Sequence, residues 1–290
     1  MSVPEASEKA PEIVFPRSFA EAAETLAELG GDARLIAGGT WLMRSGIRCE
    51  PMPRILVSLG KIDDADAISR TDSGWSIGPM ATHQQIEAHF TASEKLPALA
   101  IAAGRSANPG VRRLATVGGN LASRDFAPAD LLTALIALDA AVGIVGEGSV
   151  SNQSLVEFAA SRSKASSPRV IAAIDVPEDG YLSAHARQTL RQAGEYPVAI
   201  VSVAAQLSTD RVIGDVRIAV GAVEFVPRRW HNLETELRGQ RISLEEIGNV
   251  ARRHVADFDA REGADAPSWY RLDVLPHLLR GAFSDIEKQI

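Results

Sequence analysis

Apolar positions recur at helical and strand-like spacing along the chain, with glycine as the main punctuation. Residues 18–30, SFAEAAETLAELG, place Ala22, Leu26 and Leu29 on one helical face, and Gly30-Gly31 forms the stop. Ser18 with Glu21 three residues on resembles a capping box. A short apolar run at 34–37 leads into Gly38-Gly39-Thr40. Residues 55–59 and 75–77 read as further short strands, the latter ending at Gly78. Thr82 is the expected N-cap of a helix over 83–89, and the Ala-rich residues 97–105 form another. A second apolar run, 114–117, leads into Gly118-Gly119-Asn120. A helix over 128–139 follows, with Leu131, Leu135 and Leu138 on one face.

Around 161–168 the composition turns to Ser, Lys and Arg, which marks a loop, and 170–176 is a strand closed by Pro177. Residues 178–195 are polar and interrupted by Gly180 and Gly194. The domain boundary is placed there, giving domains 11–177 and 178–290. Residues 198–207 and 216–226, around a turn at 208–210, carry a hairpin signal. Helical stretches follow at about 243–257 and 267–283. Strands grouped before helices predict an α+β fold for this part.

Composition narrows the classes. The 290 residues suit two domains, and a hydrophobic fraction of 46% supports a packed core. A net charge of −7 leaves no electrostatic footprint for nucleic acid. No apolar stretch is long enough to span a membrane. Residues 1–10 read as a loose tail without the marks of a signal peptide. The single cysteine, Cys49, excludes an internal disulfide and fits a reducing cytoplasm. One thiol cannot hold an iron–sulfur cluster, which needs about four. His83 and His89 are near neighbours, but no carboxylate completes a metal spacing, so both are expected to be ordinary helix or loop residues.

The chemistry concentrates at two places, Ala37-Gly38-Gly39-Thr40 and Thr116-Val117-Gly118-Gly119-Asn120. Glycine permits positive φ and close approach of a ligand to the main chain. Successive N–H groups make a nest for an anion without any lysine. Two such loops facing each other could hold a pyrophosphate, with side-chain bonds from Thr40, Thr116 and Asn120. Each pair taken alone reads more readily as a plain turn, and only the two together bring the binding reading level with it; neither is G-x-G-x-x-G, so a Rossmann site has little support. Asp130, ten residues past Asn120, could accept from a ribose or an adenine, or it could simply stabilise a helix N-terminus.

With these motifs the chain resembles the FAD-binding medium subunit of the molybdenum hydroxylases, the carbon monoxide and xanthine dehydrogenase type. The resemblance runs from Phe15 to about Phe283. It comprises F-P-R-S-F-A-E-A at 15–22, A-G-G-T at 37–40, I-G-P-M-A-T-H at 77–83 and L-P-A-L-A at 96–100. R-R-L-A-T-V-G-G-N-L at 112–121 and P-A-D-L-L at 128–132 are its densest part, and V-R-I-A-V-G-A-V at 216–223, L-R-G at 237–239 and Y-R at 270–271 complete it. It implies a PCMH-type FAD domain followed by a smaller C-terminal α+β domain with an antiparallel sheet and helices. It gives the pyrophosphate to the two glycine loops and puts Asp130 on the adenosine side of a noncovalent FAD. Tyr196 falls where some relatives set an aromatic beside the flavin, though it is equally readable as a packed residue before Pro197. Trp41 completes the first loop at a position often held by Asp or His. Arg113 stands where Asn is common, and Arg187 where lysine is frequent.

The resemblance further implies a molybdenum-binding large subunit and a small subunit with two [2Fe–2S] clusters, in a dimer of heterotrimers. No catalytic residue and no metal ligand is then needed in this chain, which relays electrons from the clusters to an external acceptor. A standalone FAD oxidoreductase and an FAD-free scaffold are the alternatives.

Overall fold

The computed structural model describes residues 10–124, 126–146, 149–162, 169–190 and 196–290. The expected loop at 161–168 and the end of the 178–195 segment lie largely outside them. The chain folds into two lobes of mixed helix and sheet. In the first, β1 (Glu12–Val14), α1 (Phe19–Leu29), β2 (Ala33–Ile36) and β3 (Ile55–Ser58) form a parallel three-stranded sheet of order β1-β3-β2 with one crossover helix. Ser18 caps α1 by accepting from Glu21 N at 3.1 Å. The box is only half made, because the Glu21 carboxylate takes Arg17 N instead of Ser18 N. Ala22, Ala23 and Leu26 bury the apolar face of α1 against β3 and the neighbouring sheet.

That neighbouring sheet contains β4 (Ile68–Arg70), β5 (Gly74–Ile77), β6 (Ala141–Gly146), β7 (Ser149–Ser154) and β8 (Val170–Pro177), antiparallel in the order β4-β5-β8-β6-β7. The helices α2 (His83–Ser93), α3 (Pro97–Gly104), α4 (Pro109–Arg112), α5 (Val117–Ala122), α6 (Asp130–Ala137) and α7 (Leu155–Ser161) accompany it. α2 opens on a complete capping box: Thr82 accepts from Gln85 N, and Gln85 Oε1 accepts from Thr82 N at 2.8 Å. Ile86, Leu99, Leu131 and Leu135 join Ile77 and Ile174 in one core.

The second lobe has β9 (Leu182–Gln188), β10 (Ala199–Leu207), β11 (Ile213–Gly221) and the short β12 (Arg228–Arg229), antiparallel in the order β12-β11-β10-β9. α8 (His231–Leu237), α9 (Leu244–His254), α10 (Ser268–Asp273) and α11 (Leu275–Glu287) follow. Its sheet is covered on both faces. Val201, Val203, Ala205, Ile218 and Val220 pack with α8, α9 and α11, while Ala204 and Ala219 enter the core of the first lobe. The lobes approach closely at Gly221, where an added Cβ would lie 2.1 Å from Thr133 Oγ1 of α6.

The apolar run 114–117 leads into a helix: Val111 O accepts from Leu114 N and Ala115 N in a turn, and Thr116 then caps α5, whose first turn contains both glycines. Two sequence expectations need correction. The polar segment 178–195 contains β9, whose long polar side chains have buried partners across the lobe seam. The stretch 267–283 is two helices broken at Val274, with Pro276, which has no N–H to donate, in the first turn of the second.

Candidate functional site

A cleft of about 1220 Å³ runs between the lobes, lined by both glycine loops and by Asp130, Arg187 and Tyr196. The volume suits a dinucleotide, since small-molecule sites commonly span about 300–1,000 Å³.

The first loop leaves β2 at Ile36. Gly39 has φ +68°, a left-handed conformation that glycine adopts without a Cβ penalty. Gly38 lies so close to the second loop that an added Cβ would stand 1.7 Å from Leu114 O. Among the described residues no protein acceptor engages the N–H groups of Gly38, Gly39 or Thr40. They line the cleft as orphan donors, the pattern an anion satisfies.

The second loop differs. Val117 N donates to Ala81 O at 2.9 Å and Gly118 N to Pro79 O at 2.8 Å. Gly119 N donates to Thr116 Oγ1 at 3.1 Å and Asn120 N to Thr116 O at 3.0 Å. These four main-chain donors are spent inside the protein, and Asn120 Oδ1 accepts from Leu132 N at 3.1 Å. The Thr116 hydroxyl hydrogen and the Asn120 amide N–H groups are what it offers a ligand. Gly118 is helical with no positive φ; its small size is required because a Cβ would meet Pro79 at 2.8 Å.

Asp130 opens α6 and is buried. Its Oδ1 accepts from His185 Nε2 at 3.1 Å and Arg187 Nε at 3.0 Å, both from β9 of the second lobe. No donor among the described residues reaches Oδ2. Its charge in the first turn of α6, which has no side-chain cap hydrogen bond, also suits the helix dipole, and the residue lines the cleft as well.

At the other wall Trp41, Phe126 and Tyr196 form an aromatic cluster, with ring centroids 4.9 Å apart for Trp41–Phe126 and 5.3 Å for Phe126–Tyr196. The Arg48 guanidinium sits 4.1 Å over the Trp41 ring, and Arg44 donates to the Tyr196 hydroxyl at 3.1 Å. Tyr196 is therefore packed and cleft-lining at once. Arg113 is not among the residues lining the cleft, whereas Arg187 is.

His83, read as an ordinary residue, is the first residue of α2 and is buried beside the cleft. Burial pushes its pKa down to about 4; nearby Asp130 opposes the shift and Arg112 adds to it. Nδ1 lies 2.6 Å from Ser106 Oγ, and that hydroxyl donates to Ala103 O at 2.7 Å. Ser106 must therefore accept, which puts the His83 proton on Nδ1. Nε2 is left as a bare acceptor with no partner among the described residues. Phe126, Ser106 and His83 belong to no glycine motif, and only the family's T-H segment marked His83 in the sequence.

Orphan donors facing a glycine-buttressed wall, with an aromatic cluster at one side, define a two-domain dinucleotide-binding module. Residues 8–179 match the FAD binding domain in molybdopterin dehydrogenase, and residues 184–286 match the CO dehydrogenase flavoprotein C-terminal domain. The chain belongs to this family of FAD-binding oxidoreductase subunits. It is 25% identical over 281 residues to the glyceraldehyde dehydrogenase medium chain of Sulfolobus acidocaldarius, covering 95% of this chain and 99% of that one. It is 32% identical over 212 residues to the carbon monoxide dehydrogenase medium chain of Afipia carboxidovorans, covering 72% and 66%. Among solved structures, quinoline 2-oxidoreductase from Pseudomonas putida 86 shares the fold with a TM-score of 0.87 at 23% identity, covering 100% of this chain and 99% of that one. Reconstituted CO dehydrogenase from Oligotropha carboxidovorans does so with a TM-score of 0.88 at 22%, covering 97% and 99%.

Proposed function

We propose that this chain is the FAD-carrying subunit of a cytoplasmic molybdenum hydroxylase and relays electrons from the [2Fe–2S] clusters of a small partner subunit to an external acceptor. The observation that carries the reading is the trio of orphan N–H groups at Gly38, Gly39 and Thr40, facing the Thr116–Asn120 loop across a dinucleotide-sized cleft. These residues fit a noncovalent pyrophosphate. Ala37 and Trp41 flank the donors, Thr116 and Asn120 add side-chain donors, and Val117, Gly118 and Gly119 form the wall. Asp130 would accept a hydroxyl or N–H donor of the cofactor through Oδ2, and Tyr196 with Trp41 would offer it an aromatic wall. When bound, FAD supplies a junction between one-electron clusters and a two-electron acceptor.

The medium-chain names of the relatives support partners, a molybdenum-binding large subunit and a [2Fe–2S] small subunit, and we extend this to a dimer of heterotrimers. Among the described residues there is no cluster of three or more His, Cys, Asp or Glu able to hold a metal, and no helix long and apolar enough to cross a membrane. We place the domain boundary in the 178–181 connection between β8 and β9.

The test is anaerobic bleaching of the flavin band by substrate, with and without the partner subunits. Bleaching only in the rebuilt complex is the expected result. Rapid bleaching in the isolated chain would replace the relay with a standalone oxidoreductase.

A further inference from the structure

Successive residues of β9 face opposite sides of its sheet. Leu182, Ala184 and Ala186 pack with the helices of their own lobe. Ser183, His185 and Arg187 face the first lobe, where Ser183 Oγ accepts from Ala98 N at 3.3 Å and the other two reach Asp130. His185 is fully buried, and its direct cross-strand neighbour on β10 is Ser202, also fully buried. His185 Nδ1 lies 2.8 Å from Ser202 Oγ, while its Nε2 lies 3.1 Å from Asp130 Oδ1.

The proton on His185 Nε2 follows from the donors. Arg187 Nε can only donate, so Asp130 Oδ1 acts as an acceptor. His185 Nε2 therefore carries its hydrogen and donates to the same oxygen. Nδ1 is bonded to the Ser202 hydroxyl, which can either donate to a ring nitrogen or accept from it. The chain Ser202–His185–Asp130 crosses the lobe seam and ends on a carboxylate that lines the cleft and keeps one oxygen without a donor among the described residues.

We propose that His185 is a positioning residue for the cofactor: held by Ser202, it fixes the rotamer and plane of the Asp130 carboxylate so that Oδ2 stays presented to the cleft. The second lobe thereby builds part of the cofactor site through a residue that never touches the ligand. Arg187 donates to the same oxygen and, through Nη1, to Arg105 O. The buried His185 imidazole, bonded at both nitrogens, ties that carboxylate to β10 of the second lobe. This proposal rests on the FAD reading given above.

The experiment is a dissociation constant for FAD on the full apo chain, read by quenching of flavin fluorescence. His185→Leu removes both bonds and should raise Kd about tenfold. His185→Gln keeps an amide N–H for Asp130 and should recover most of that loss. In an Asp130→Asn background, His185→Leu should add no more than about twofold, because a residue acting through Asp130 has nothing left to position. Ser202→Ala deletes one hydroxyl and should raise Kd about threefold, which keeps the test decisive if His185→Leu does not fold. Wild-type affinity in His185→Leu and Ser202→Ala, or full additivity with Asp130→Asn, would overturn the positioning role alone. A wild-type chain that takes up no FAD would overturn the cofactor reading beneath it.

Discussion

Replacing Gly38 with alanine is the sharpest test of the proposed site, because the two glycine loops touch there through their backbones. A Cβ on Gly38 would lie 1.7 Å from Leu114 O, 2.6 Å from Leu114 C and 3.2 Å from Ala115 Cα. No rotamer change relieves this, since all three atoms are main chain. Real Cβ contacts stay beyond about 3 Å, so the loops must part by more than about 1 Å. A charge-assisted N–H···O bond to a phosphate does not survive a stretch of that size. Each such bond contributes about 1.5–3 kcal/mol, so losing two raises the Kd for FAD by a factor on the order of 100 or more. Gly39→Ala provides the comparison. Its Cβ meets only side-chain carbons at 3.4 Å, and the cost is that of φ +68° for an L residue, about 1 kcal/mol. Apo chains titrated with FAD by fluorescence quenching, alongside thermal unfolding curves, separate binding from folding. A folded Gly38→Ala chain with wild-type affinity would refute the argument that loop contact sets the donor geometry.

Three further outcomes are expected. His83 is neutral in the fold with its pKa near 4, against 6.5 for the free side chain, so only the unfolded chain gains its proton between these values. Its contribution to stability is therefore complete above pH 6.5 and lost as pH falls toward 4, by at most about 3 kcal/mol; His83→Gln should flatten denaturation midpoints in that window, and an unchanged pH slope would contradict the burial argument. Asp130→Ala removes the carboxylate that Arg187 and His185 share at the seam and should lower stability by about 3–5 kcal/mol, as removal of one partner from a buried pair does. Asp130→Asn, which keeps the shape, should lower it less, and equal unfolding midpoints for the two variants would count against the ion-pair reading. Tyr196→Phe removes the Arg44 bond but keeps the ring cluster. It should leave FAD affinity within about twofold, while Trp41→Ala, which dissolves the cluster, should weaken it clearly.

Much of the first lobe was legible because its signals are local. Ser18, Thr82 and Gly30 mark helix ends, and the spacing of Ala22, Leu26 and Leu29 marks a face, none of which needs tertiary information. β9 was missed because its inward residues are Ser183, His185 and Arg187, polar side chains whose burial makes sense only once Asp130 and Ala98 stand opposite. The hairpin β6–β7 went unread because β7 is Ser- and Asn-rich and mostly exposed at a sheet edge. Both glycine loops and Asp130 were legible as residues, but their division of labour was not. That Gly118 N meets Pro79 O, 39 positions back, follows only from the way the segment after β5 crosses α5. His83 carried no charge partner or metal spacing in the sequence, and its buried, singly bonded ring is a product of packing.

The unequal loops explain how two similar sequences can serve one anion. A nest works only if its N–H groups stay aimed while no ligand is present, and three orphan donors on a flexible turn would otherwise collapse onto nearby carbonyls. The structure prevents this from the other side of the contact. Thr116 caps α5 through Gly119 N, Pro79 and Ala81 hold the first two residues of that helix, and Ala115 O takes His83 N. The second loop is thereby tied through the N–H groups of Val117, Gly118, Gly119 and Asn120 and makes a rigid wall. Gly38 leans on that wall at Leu114 O, with no side chain between them. Donors in the first loop are thus oriented by bonds made in the second. On this argument the second glycine pair is needed for close packing and the first for exposed N–H groups. An alanine at Gly119, whose Cβ would meet only Thr116 Oγ1 at 3.1 Å, should be far milder than one at Gly118, where Pro79 cannot yield.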